Sequence, residues 1–361
     1  MSISAMSISA ILGGGDIVTG VRGTTNGDVI LTGSQVTGNG AETAPFLFQG
    51  PLTGAAEGAP VSVLAPQFPD VTTATFYGPD THSFNPEAIP AGQVRAVGSY
   101  QSSSSPAGVF NHGMIYLGPV SGPGGSWTSI DVPADGQNTA GHVRACPEAR
   151  RDCLVMNTIA HSTMGDLVVG NYDLSPGVPG GVISGNAFIY NMTTDQWTLL
   201  QLGGSLSSET TLYGIWQNGG PGSPYYTLAG GSSAPGNQQA FLMNYNARTG
   251  TFGEPAYYSY GNAPALVTHF DGITAVPGGF NLVAISSAQA ASMAFIPATG
   301  GEEPSFGAAT WYPIDVAASP LCPGGCNVVT GNTVYQNRVM GLYLQAGSST
   351  PHTYLAIVPT R

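Results

Sequence analysis

The few side chains able to move protons gather in short, recurring stretches of this sequence. His161, and His269 with Asp271 two residues on, suit general acid and base work, because imidazole and carboxylate together exchange a proton near neutral pH. Tyr213 could donate a further proton, and Arg22 or Arg338 could stabilise negative charge as it develops. Tyr77, Asp80 and Tyr335 fall in equivalent stretches, and Trp216, just after Tyr213-Gly214, is the tryptophan placed to meet a ligand. With six His and eight Arg among 361 residues, this concentration is the strongest functional signal in the chain. Each residue also has a structural explanation, since a buried His can bond backbone ends and an Arg-Asp pair can tie neighbouring elements.

Other chemistries are excluded or lack a motif. A formal charge of -12 with no Lys argues against binding a phosphate backbone and removes Schiff-base and P-loop lysine mechanisms. The sequence has no nucleophile elbow, His-Glu-x-x-His, dinucleotide loop or EF-hand loop. A metal held by His161 and His269 has no support from spacing. The expectation is therefore an enzyme without a metal or organic cofactor, and without a nucleic-acid partner. No stretch reaches the roughly 18 to 20 consecutive apolar residues that span a bilayer, so no membrane partner is expected.

The elements that must position these residues form a repeat. An aromatic-aliphatic strand recurs at Phe46, Met114, Phe188, Phe241, Phe295 and Tyr354, between 53 and 74 residues apart. Before each copy lies a short apolar strand that usually ends in glycine, as at Gly33, Gly98, Gly170 and Gly230. After three copies comes a tryptophan strand, at Trp127, Trp197 and Trp311, where a repeated aromatic fills the wedge between sheets better than it serves a sugar. Upstream of each glycine-ended strand sits a fourth, at 17–22, 75–80, 157–163, 211–216, 268–273 and 333–338.

Four strands per unit, six units and no amphipathic helix predict an all-β fold: one six-bladed β-propeller domain over 1–361, with four-stranded antiparallel blades. A β-sandwich would not need six copies of one strand order. The repeats resemble those of bacterial extracellular propeller proteins over almost the whole chain; the resemblance implies the fold and nothing about activity. In a propeller the fourth strand is the innermost, which sends the candidate residues into the central channel. The sixth unit lacks an outer strand, so 7–11 is expected to pair with 354–358 and close the ring.

Cys146 with Cys153, and Cys322 with Cys326, could each close a local disulfide; a four-thiolate zinc site is the rival, although six residues between the first pair exceed the usual ligand spacing. Disulfides would imply a secreted or periplasmic protein, while residues 1–11 lack the basic and apolar regions of a signal peptide. The long loops at 79–93 and 137–157 could cover one channel mouth.

Two functions compete. The first is a cofactor-independent lyase, hydrolase or cyclase with a small-molecule or carbohydrate ligand at the channel mouth, using His161, His269, Asp271 and Tyr213, with Arg22, Tyr77, Trp216, Tyr335 and Arg338 binding substrate. The second is a non-catalytic secreted propeller that binds a glycan or protein. Repeated binding sites would be alike from blade to blade, whereas these inner-strand residues differ, which favours one asymmetric site.

Overall fold

A computed structural model describes residues 6–37, 42–121, 124–146, 153–175, 185–203 and 209–359. Among them, six antiparallel sheets follow one another around a ring. The first blade comprises Asp16–Gly23, Val29–Thr37, Glu42–Gly50 and Ser62–Val63 from inside outward. The second comprises Val71–Thr81, Gln93–Ser102, His112–Pro119 and Ser126–Ile130, and the third Val155–Met164, Leu167–Leu174, Asn186–Asn191 and Gln196–Leu200. In the fourth, Thr210–Gln217, Tyr225–Ser232 and Gln239–Asn246 are followed by an outer strand in two pieces, Thr251–Phe252 and Ala256–Tyr258. The fifth repeats this with Thr268–Val276, Gly279–Ser286, Ser292–Thr299, Ser305–Phe306 and Thr310–Pro313. The inner strands of consecutive blades lie against one another, and that of the sixth returns to the first. The protein is a six-bladed β-propeller.

The sixth blade closes the ring as expected. Its inner strand is interrupted, Cys326–Val329 then Thr333–Tyr335, and is followed by Arg338–Gln345 and His352–Ile357. Its outer strand is Ser7–Ile11, paired antiparallel from Ser7 opposite Ile357 to Ile11 opposite Thr353.

Apolar side chains fill six wedges, one between each pair of neighbouring blades. Trp127 stacks on Phe76 at 5.6 Å and Trp311 lies over Phe270 at 6.2 Å, while Trp197 meets the edge of Phe188. All three tryptophan-strand indoles serve packing. Both cysteine pairs are disulfides, with Cα atoms 5.7 and 5.4 Å apart, and the zinc alternative falls. The loop at 79–93 folds beneath the hairpin ends of the third and fourth blades, where Asn85 Nδ2 donates to Gly165 O. Residues 147–152 of the second long loop lie outside the described residues.

One local irregularity builds the channel. Five inner strands carry a β-bulge at the same place, between Val18 and Gly20, Phe76 and Gly78, Ala160 and Ser162, Leu212 and Gly214, and Phe270 and Gly272. The extra residue re-aims its side chain, and the carbonyl two residues before it stands close against the second strand. A Cβ at Gly33, Gly98, Gly170 or Gly230 would stand 1.8 to 2.1 Å from that carbonyl oxygen, which explains the recurring glycine. The sixth blade reaches the same geometry by a break, with Thr330 and Asn332 bonding Leu342 O and Met340 O around Gly341.

Candidate functional site

The five bulge residues are Thr19, Tyr77, His161, Tyr213 and Asp271, and Asn332 holds the corresponding place in the sixth blade. Together with Ile285, Thr330 and Gly331 they line a recess of about 170 Å³ on the side where the inner strands begin. Just past the ring the channel narrows to about 20 Å³. Thr19 and Asn332 were not singled out by sequence; four of the bulge residues stand before glycine and the fifth before Ser162, and that small-residue step was the available signal. The step is steric, because a Cβ at Gly20 would lie 2.0 Å from Tyr77 O of the next blade and one at Gly78 2.7 Å from His161 O.

The ring members divide by what they bond. Thr19 Oγ1 donates to Phe76 O, and Asn332 Nδ2 donates to Val18 O at 2.8 Å, so both stitch neighbouring blades. The remaining rings form an arc. Tyr77 and His161 centroids are 4.9 Å apart, His161 and Tyr213 4.6 Å, and Tyr213 and His269 5.5 Å. Beyond them His269 Nδ1 lies 3.0 Å from Asp271 Oδ1. His161 and Asp271 therefore line one recess from blades three and five with Tyr213 of blade four between them, and His269 stands behind that lining, against Tyr213 and Asp271.

The electrostatics separate the two imidazoles. His161 makes no side-chain hydrogen bond among the described residues, and burial in the channel wall pulls its pKa down to about 3, which favours the neutral ring. Burial also pulls His269 down, but Asp271 and then Glu209 outweigh it and the net shift is upward. Asp271 is raised by burial against the pull of His269, and its Oδ2 is buried without a hydrogen-bond partner. Two carboxylates, Asp271 and Glu209, thus favour the cationic form of the His269 imidazole. Burial, then Asp271, raises the Tyr213 phenol, and burial raises Tyr77 against a hydrogen bond from Ser99.

The other candidates do not reach this recess. Arg22 lies one layer below, its Nε and Nη2 donating to Pro79 O and Thr163 O at 3.2 and 3.3 Å. Its guanidinium sits 5.3 Å from the Trp216 ring and 5.8 Å from Phe84, and Phe84 meets Trp216 edge-on. Asp80, in the same layer, accepts N–H bonds from Thr81 and Gly165, with Arg95 4.0 Å away. Burial raises its carboxyl to about 6 despite Arg22, Arg95 and those N–H groups. This layer is a bonded, stacked floor. Tyr335 packs in the wedge between blades six and one, and Arg338, beyond the hairpin in the second strand, bonds Gln336 and Asn337.

No family model and no curated protein sequence matches the chain. Among solved structures it resembles the GH93 α-L-arabinofuranosidase of Fusarium graminearum in complex with arabinobiose, at 9% identity and a TM-score of 0.53, covering 95% of this chain and 93% of that one. A variant of that enzyme with an iminosugar inhibitor gives 9% identity and a TM-score of 0.51 over the same shares. The Dos1 propeller aligns over 96% of this chain and 93% of its own, at 8% identity and a TM-score of 0.38. At these identities the likeness concerns the fold alone; the six closed blades themselves make this chain a six-bladed β-propeller.

Proposed function

We propose that the protein is a secreted acid–base enzyme acting on a carbohydrate at a channel-mouth recess, with His269, beside the recess-lining Asp271, as proton donor. One observation carries this: the unpartnered imidazole of His161 and the carboxylate of Asp271 line one recess, and the His269 imidazole lies 3.0 Å from that carboxylate, across Tyr213 from His161. Environments that push two like groups in opposite directions divide acid from base. The carbohydrate class is supported by the arabinofuranosidase of like fold, whose structure holds arabinobiose. The two disulfides support an oxidising compartment.

The chemistry follows from the placement. Asp271 Oδ1, 3.0 Å from His269 Nδ1, favours the cationic imidazole by charge, and its Nε2–H is the proton given to the leaving-group oxygen as its C–O bond breaks. Water adds its hydroxyl to the carbon, and its released proton departs through neutral His161. Tyr77 and Tyr213 wall the recess and hold the sugar ring. Arg22 and Trp216 support the floor from below rather than touching substrate.

The test is turnover on a panel of aryl glycosides and oligosaccharides, with His269→Ala and Asp271→Asn. Each variant should lose about 100-fold or more in kcat while melting close to the parent. Full activity in both would sink the acid–base reading. Ligand binding without any turnover, unchanged by either variant, would leave the non-catalytic binding propeller.

A further inference from the structure

The recess has a sign of charge as well as a shape. Asp271 is in its wall with one carboxylate oxygen unpartnered. Glu209 and Asp173 add negative potential: both act on the Tyr213 phenol, and Glu209 acts on His269. Asp173 is held by Asn157 Nδ2 and Gly185 N, whereas among the described residues no side-chain hydrogen bond fixes the Glu209 carboxylate. Among the described residues, the His269 imidazole beside Asp271 is what stands against these charges: no cationic side chain lines the recess, and Arg22 in the layer below is committed to two carbonyls. The chain has no Lys.

Much of the rest of the wall is aromatic. Tyr77, His161 and Tyr213 run side by side around the same space, and His161 contributes as a neutral ring with one nitrogen able to accept and the other to donate. Aromatic rings beside a carboxylate attract a cation through the ring quadrupole and by charge, and do so more strongly where water is scarce. A carboxylated sugar would meet uncompensated repulsion here. Among the described residues no three His, Cys, Asp or Glu side chains are grouped to hold a metal ion, so the soft, aromatic wall suits an organic cation.

We infer that the recess selects a positively charged organic group, an ammonium, so that a carbohydrate substrate would present an amino sugar there rather than a neutral sugar or a uronate. The inference rests on the same recess as the acid–base reading, but charge selection and proton transfer are separable by experiment.

Three probes of nearly one shape and different charge test it on the intact protein: tetramethylammonium, tert-butanol and trimethylacetate, titrated by calorimetry at constant ionic strength. Tetramethylammonium should bind at least tenfold more tightly than tert-butanol, and trimethylacetate should bind more weakly than either. Asp271→Asn should weaken tetramethylammonium at least tenfold, and Tyr77→Leu should weaken it severalfold if the first variant folds poorly. Equal binding of the cation and the alcohol, tighter binding of the anion, or no binding by any of the three overturns the inference. Should tetramethylammonium fail while His269→Ala abolishes turnover of a neutral glycan, charge selection falls and the acid–base reading stands. Should it bind while neither catalytic variant alters turnover, the reverse holds.

Discussion

At the scale of single residues, the opposed shifts of two histidines make a pH signature. His161 has its folded pKa depressed to about 3, so the fold prefers the neutral ring; its contribution to stability is complete above the unfolded value near 6.5 and is lost as pH falls toward 3. His269 has its folded pKa raised, so its contribution is complete below about 6.5 and is lost as pH rises through the higher folded value. Because Asp80 and other groups titrate in the same window, the measurement is a difference: melting of the parent minus melting of His161→Gln between pH 7 and 4. The parent should lose stability relative to the variant as pH falls, by at most about 1.4 kcal/mol per pH unit. Parallel curves would mean that His161 is solvated. Turnover should fall as pH rises past the raised pKa of His269; a rate still climbing at pH 9 contradicts its role as acid. His161, Tyr213, His269 and Asp271 were legible as one cluster because the repeat put them on inner strands. That Arg22, Trp216, Tyr335 and Arg338 lie elsewhere was not legible, since three of them sit three residues past the ring position and the fourth past a hairpin. A bulge changes which side chain faces the channel, and strand periodicity alone does not reveal it.

At the scale of elements, the bulge and its glycine are one device. The inner strand gains a residue, its carbonyl swings onto the second strand, and glycine makes room. Gly230 is the sharpest case, with Thr211 O 1.8 Å from where a Cβ would stand, so Gly230→Ala should destabilise by about 1 to 3 kcal/mol through forced backbone shifts. Blade five carries Ala284 opposite Phe270, so one bulge already accommodates a methyl group, and Ala284→Gly should cost no more than about 1 kcal/mol. Chemical denaturation of both variants checks the pair; a Gly230→Ala protein as stable as the parent would show that the bulge relaxes freely. Four strands per blade were readable from repeated aromatics, glycines and tryptophans. The two-piece outer strands of blades four and five and the broken inner strand of blade six were not, because a strand interruption has no apolar period of its own.

At the scale of the whole molecule, closure decides stability, because each blade buries its faces against two neighbours and a ring cut anywhere leaves two wedges half-filled. The cut is easiest where the sixth blade borrows its outer strand from the other end of the chain. Ser7–Ile11 contributes five paired residues to that sheet, Ile8 packs into the wedge between blades five and six, and Ile11 and Leu12 are buried in the wedge between six and one. Removing residues 1–11 therefore strips two wedges at once and exposes the edge of His352–Ile357. Losing a buried Ile alone typically costs about 2 to 5 kcal/mol. The truncated protein should melt at least about 5 °C lower. Its loss should also be local: amide exchange ought to accelerate first in His352–Ile357 and Arg338–Gln345, while Tyr225–Ser232 of blade four, across the ring, keeps its protection. Ile11→Ala, which keeps the strand, should lie between the parent and the truncation. Because the aromatic and charged residues of the site, Tyr77, His161, Tyr213, His269 and Asp271, belong to blades two to five, while the sixth supplies Thr330, Gly331 and Asn332, ligand affinity at low temperature should drop less than stability does. A truncated protein that melts with the parent, or that loses protection evenly around the ring, would show that the terminal strand is an addition to a ring already closed by its inner strands.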